Sequence, residues 1–194
     1  MYAIEIAKHG GPEVLSYVDG PRPAPAAGEL LIKAEAIGVN FVDTYFRSGL
    51  YPHHLPFVLG AEVCGTVAGV GDGVMGFSIG QRVATADAVG AYAEYCVAPA
   101  DIVAPVPAGV ASDVAAAALL KGMTAHLLIK SVYPVEPEDT VLIHAGAGGV
   151  GLIMTQWVTS TGGRVISTTS TPRKAEMSRQ AGAVAVLGYP HNAA

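Results

Sequence analysis

The sequence predicts a mixed α/β chain: a β-rich first half, then the opening of a doubly wound parallel sheet. Three observations predict it. Short apolar runs broken by Gly and Pro turns fill the first hundred or so residues, the texture of a compact, barrel-like β domain. At Ser112 the texture becomes rich in Ala and Leu at helical spacing, and a helix–strand alternation follows. Within that second half, the apolar run 141–143 meets Gly146, Gly148 and Gly151 at the spacing G-x-G-x-x-G, and a helical pattern follows directly. The expected domains are residues 1–115 and 116–194.

In chain order, residues 1–7 read as a strand, His9-Gly10-Gly11-Pro12 as its turn and 14–18 as a hairpin partner. Residues 21–28 carry three prolines and form an extended connector. The segment 29–39 alternates well enough for a long strand. Residues 40–48 are aromatic and helical, and 49–56 form a loop. The β-branched stretch 57–70 closes on the turn Gly69 to Gly73, and 81–85, 91–97 and 101–106 are further short strands. Residues 115–120 and 123–132 have helical spacing, with Ser112 or Asp113 as N-cap. The order is then strand 140–144, helix from 149, strand 164–168, helix from 172 and a strand near 184–187. Thr171-Pro172 supplies an N-cap followed by proline at the first helical position.

Half of the 194 residues are apolar (51%) and 14% are charged, so a core can be buried. The 11 basic residues are scattered and the net charge is −5, which argues against nucleic acid. No uninterrupted apolar run reaches 18 residues, so no membrane span is expected, and residues 1–8 lack the pattern of a signal peptide. Cys64 and Cys96 form no Cys-x-x-Cys pair, which suits a reducing cytoplasm and argues against a structural zinc. His53-His54 is an adjacent pair with no evident third ligand and reads as a solvated loop.

The glycine turn carries the clearest chemistry. Glycine at 146, 148 and 151 permits a sharp turn, close approach of a pyrophosphate and tight packing of helix on strand. Gly149, Val150 and Gly151 then open a helix whose free N–H groups and dipole favour an anion. Enzymes that use NAD place a carboxylate after the second strand, on the ribose 2′-hydroxyl. Here that place holds Thr169-Ser170-Thr171-Pro172-Arg173-Lys174: hydroxyls and two cations, the partners a 2′-phosphate needs. NADPH is therefore expected over NADH. The bland alternative is a polar loop beside a capped helix.

Several stretches resemble one family: Lys8 to Leu15, Ala36 to Tyr51, Leu59 to Val67, Lys121 to Ala125 and His144 to Gly151, in that order. Together the chain resembles the zinc-independent quinone oxidoreductases of the medium-chain dehydrogenase/reductase superfamily, the group that includes zeta-crystallin. The resemblance implies a GroES-like β-domain joined to a Rossmann domain, and NADPH-dependent reduction of quinones or related electrophilic carbonyls by one or two electrons. It implies active-site roles for Asn40, Tyr45 and Tyr51: the Asn40 amide would orient the nicotinamide or the ribose, and Tyr45 or Tyr51 would meet the acceptor. Thr124 would touch the nicotinamide, Lys174 the 2′-phosphate and Tyr189 the adenosine. Tyr45 reads equally well as a core aromatic, Tyr51 as a loop ring and Thr124 as an ordinary helix hydroxyl, and Asp43 reads as a helix-surface or structural carboxylate rather than a base. Zinc-dependent relatives place Cys and Gly-His-Glu where this chain has Asn40 and Gly60-Ala61-Glu62, so no metal is expected. Family members are longer. The expectation is of an incomplete Rossmann sheet, shortened at the C-terminus and lacking the family's usual dimer edge, although a homodimer stays open. A non-catalytic nucleotide-binding module and a fragment completed by another chain are the alternatives to an enzyme.

Overall fold

The computed structural model describes residues 1–189 and divides into two compact units, Met1–Leu119 and Leu120–Ala194. Unit 1 is antiparallel. Strand β1 (Tyr2–Ile6) lies between β2 (Ser16–Asp19) and β4 (Phe57–Val58). A five-stranded sheet runs β7-β3-β5-β6-β8, built from β3 (Glu29–Gly38), β5 (Glu62–Val70), β6 (Arg82–Thr85), β7 (Tyr95–Pro99) and β8 (Ala104–Pro105). Leu30, Ile32, Val63, Val67, Val83, Ala91, Cys96 and Ala98 form its main core. Helix α1 (Phe41–Ser48) leaves the end of β3 and stops at Gly49, whose φ of 82° suits a residue without a side chain.

Two expected strands are shorter than their sequence pattern. Of 91–97, only the part from Tyr95 pairs as β7. Ala91 and Tyr92 instead donate to the carbonyls of Gly60 and Leu59 as a loop. Residues 101–106 give a 3-10 turn at Ala100–Ile102 and then the two-residue β8, where Pro105 cannot donate to a ladder.

Unit 2 holds a three-stranded parallel sheet in the order β11-β10-β9. Its strands are β9 (Thr140–Ile143), β10 (Arg164–Thr169) and β11 (Ala185–Gly188), joined through α3 (Gly149–Ser160) and α4 (Pro172–Gln180). This is the 3-2-1 order of the first half of a doubly wound sheet. Ile129, Val135, Ile143, Val158, Val165 and Ala183 pack its core. Leu142 and Leu187, on the two outer strands, are more than half exposed.

Helix α2 (Ser112–His126) runs through the expected domain boundary. Its first turns place Ala115, Ala116 and Leu119 against Cys64 and Ala84 of unit 1, so the contacts divide after Leu119. The two helical stretches predicted here are one helix, continued by a π-helical segment, Leu127–Val132. Lys121 and Lys130 interrupt the apolar run, as the sequence shows, yet Ser112–Val132 is 21 residues long and holds an 18-residue window of mean hydropathy 1.2, long and apolar enough to cross a membrane by length and composition alone. A packing helix passes the same test, and Ala116 and Ile129 of this one are core residues.

Candidate functional site

The glycine turn of unit 2 is fixed from below. The amide of Gly146 donates to the carbonyl of Thr168 (3.0 Å), and the Thr168 hydroxyl meets Ala145 N (3.3 Å) and His144 Nδ1 (3.2 Å). A β-carbon at Gly146 would stand 2.5 Å from Cβ of Ser167, which shares a buried 2.6 Å hydrogen bond with Ser178. One at Gly151 would stand 2.5 Å from the Ala145 carbonyl. Both positions therefore need glycine for packing of the turn against strand and helix. Gly148 differs: the sole atom within 4 Å of its β-carbon position is the Ala145 oxygen at 3.1 Å. Gly148 is also the N-cap of α3 and offers no capping side chain, so the amides of Gly149, Val150 and Gly151 begin the helix without one. The turn thus joins a closed underside to an uncapped dipole end.

Beyond β10 the loop presents Ser170, Arg173 and Lys174, all exposed. Lys174 Nζ donates to Ser170 Oγ (3.2 Å), and Thr171 caps α4 by accepting from Lys174 N (3.3 Å). Thr169 departs from expectation. It is the last residue of β10 and only 4% exposed, because β10 is the central strand and its last three residues are all buried, so it does not join the open cluster. Tyr189 is exposed, and its hydroxyl accepts from Ala145 N (3.2 Å) at the lip of the turn. The Thr124 hydroxyl donates back to the Leu120 carbonyl (2.8 Å), the bond of an ordinary helix threonine.

In unit 1, Asn40 is the half-buried N-cap of α1. Its side-chain amide donates to Glu62 Oε2 (2.8 Å) and its backbone N–H to Asp43 Oδ2 (2.8 Å). Asp43 is buried and also accepts from the Tyr92 hydroxyl (2.7 Å), a structural carboxylate. Burial, together with the Asp43 acceptor, pushes the Tyr92 phenol well above its usual range. The Tyr45 and Tyr51 rings lie 5.2 Å apart. The cluster extends through Phe41 to one side and through Phe46, His53 and Phe57 to the other. Phe41 is 75% exposed and Tyr51 45%, so the cluster shows aromatic surface next to Asn40. His53 packs on Phe57 at 4.0 Å, a ring contact. Among the described residues no group of three or more His, Cys, Asp or Glu is placed to hold a metal. Cys64 and Cys96 are buried, and burial pushes the Cys96 thiol up to about 12.

In unit 1 the structure holds Asn40 on Glu62 and Asp43, and separately sets the Tyr45 ring beside that of Tyr51. In unit 2 it joins the glycine turn to Tyr189 and sets Ser170 beside Lys174. Sequence reading missed Glu62, Tyr92, Thr168, Ser167 and Ser178. Glu62 alone left a trace, as the acidic residue of a motif whose histidine is replaced by Ala61.

Residues 26–108 match the alcohol dehydrogenase GroES-like domain. The chain is 45% identical to quinone oxidoreductase 1 of Escherichia coli over 188 residues, which is 96% of this chain and 58% of that protein. A mycobacterial protein solved with NADPH superposes with a TM-score of 0.97 at 64% identity, covering 99% of this chain and 60% of that one. Escherichia coli quinone oxidoreductase complexed with NADPH gives a TM-score of 0.95 at 44% identity, covering 97% and 59%. The chain thus spans under two thirds of the length of the relatives it matches, with their GroES-like and Rossmann folds.

Proposed function

We propose that this chain, a relative of the zinc-independent quinone oxidoreductases, binds NADPH and serves its oxidation by a quinone or related electrophilic carbonyl in a reducing cytoplasm. The observation that carries the reading is the loop after β10. Where a carboxylate would grip a free ribose hydroxyl, Ser170, Arg173 and Lys174 stand exposed, with Lys174 already on Ser170. The residues fit the cofactor. The amides of Gly149, Val150 and Gly151 would hold the pyrophosphate above the open face of Gly148, reached over Gly146. Arg173 and Lys174 would take the 2′-phosphate, Tyr189 the adenosine side and Thr124 the nicotinamide amide. Bound NADPH supplies a hydride; with one proton from water the quinone becomes a hydroquinone and NADP⁺ is released. Asn40 orients the reacting groups, while Tyr45 and Tyr51 offer ring faces to a flat acceptor and hydroxyls to its oxygen.

A second reading is a nucleotide-binding module without turnover, carried by unit 2, where both the glycine turn and the Ser170–Lys174 pair lie. Calorimetric titration with NADPH, followed by addition of benzoquinone or naphthoquinone and measurement of nicotinamide absorbance, separates the two. Binding with loss of absorbance supports the enzyme. Binding alone supports the module. Absence of NADPH binding removes both.

A further inference from the structure

One buried carboxyl in unit 1 takes no direct part in the proposed reaction. Glu62 opens β5, is wholly buried, and lies beside the apolar core residues Val63 and Cys64. In register it faces Gly38, the last residue of β3, two positions before Asn40. A β-carbon at Gly38 would overlap both Glu62 Oε2 and the Ala116 carbonyl, so the strand end is shaped around this carboxyl. A buried carboxyl is expensive unless firmly hydrogen-bonded, and an apolar side chain would fill the space at lower cost. What an apolar side chain does not supply is the acceptor for Asn40 Nδ2 at 2.8 Å. Asp43 meanwhile holds the Asn40 main chain through the backbone N–H. Main chain and side chain of the same residue are thus each held by a carboxyl from a different element.

We infer that Glu62 is a positioning residue, which fixes the Asn40 carboxamide in one orientation for the reaction. The inference rests on the reading of Asn40 as an active-site residue. Glu62 touches neither substrate nor cofactor and acts through Asn40. Misplacing an orienting group by about an ångström can cost on the order of a hundredfold in rate.

The test combines kinetics with a signal that needs no turnover. E62L, which approximates the volume without the acceptor, and N40A should each lower kcat by roughly ten- to a hundredfold and leave NADPH affinity unchanged. The double variant should be no slower than N40A alone. E62Q keeps an oxygen for Nδ2 and should recover most of the rate. In NMR spectra the Asn40 side-chain amide should be shifted and slowly exchanging in the parent chain and in E62Q, and collapse toward free-amide values in E62L. Additive kinetic losses, or an E62Q as slow as E62L, overturn the inference. So does an Asn40 resonance unmoved in E62L, whatever the turnover. A parent chain inert to every quinone sinks the enzyme reading instead, while the amide resonance still shows whether Glu62 holds Asn40. Should E62L fail to fold, E62M, which also lacks the acceptor, combined with N40A reads the same coupling.

Discussion

Asn40 has its side chain on Glu62 and its backbone N–H on Asp43, which Tyr92 holds in turn, whereas the side-chain bond of Lys174 reaches no further than Ser170, one helical turn away. In unit 1 the Asn40–Asp43 bond is local, three residues apart, but Glu62 and Tyr92 join it from 22 and 49 residues away; Ser170 and Lys174 are four apart. The difference follows the work each region would do. A group that orients reacting atoms gains from being fixed in advance. A cation that meets a phosphate dianion gains from a long stem that can adjust, because charge supplies most of the attraction. In unit 2 the glycine turn is the fixed part of the candidate site, since packing under Gly146 and Gly151 leaves no space for a side chain.

The largest expected effect tests that last point. In Gly151→Ala the new carbon meets a backbone carbonyl, which cannot swing aside, so overpacking should cost about 3 kcal/mol. NADPH affinity should fall more than a hundredfold, since the displaced helix start carries the phosphate amides. The single tryptophan, Trp157, lies on α3 and reports on this unit, so a urea titration followed by its fluorescence gives the midpoint. An unchanged midpoint with normal NADPH binding would break the picture of a packed turn.

Asp43→Ala attacks the other region. It leaves the Tyr92 hydroxyl and the Asn40 N–H without their acceptor and should cost about 2 kcal/mol. Near-ultraviolet dichroism of the tyrosines should report the loss, and NADPH affinity should hold. Equal loss of NADPH affinity would show that the two regions are not independent.

The same contrast governs what could be read from the chain. The glycine spacing, the Thr171 cap and the cationic loop lie within a few residues of one another, so their chemistry is visible as a motif. Asn40 was legible through resemblance, but its holders were not. Glu62 and Tyr92 reach the site because β3 pairs with β5 and because the loop at Tyr92 bonds to Leu59. No local pattern encodes either pairing. Thr169 shows the converse failure: composition put it in the loop, and the fold makes it the buried last residue of the central strand β10. The strand expected over 91–97 starts only at Tyr95, since Ala91 and Tyr92 serve a loop bonded to Gly60 and Leu59.

A smaller effect sharpens the view of the loop. Lys174→Ala should lower NADPH affinity roughly tenfold, about 1.4 kcal/mol, and leave NADH affinity as it was. Rising salt should weaken NADPH binding to the parent chain more than to the variant. A constant ratio of the two affinities across parent and variant would remove the lysine from the phosphate site.

The smallest expected effect lies in the Tyr92–Asp43 bond and appears most clearly in its pH dependence. Burial, with the Asp43 acceptor beside it, raises the folded-state pKa of the phenol above the ordinary value of 10.0. The folded chain therefore keeps the phenol proton where the unfolded chain has released it. Stability from this group is whole below about pH 10 and declines as pH rises above it toward the folded-state pKa. Tyr92→Phe should cost about 1 kcal/mol at neutral pH, since the hydroxyl goes and Asp43 keeps the Asn40 N–H. It should also flatten the alkaline decline relative to the parent. Urea midpoints for both chains between neutral pH and pH 11 give the comparison directly. Parallel alkaline limbs would mean that Tyr92 releases its proton as readily folded as unfolded, and that the grip on Asp43 is weaker than its 2.7 Å geometry indicates.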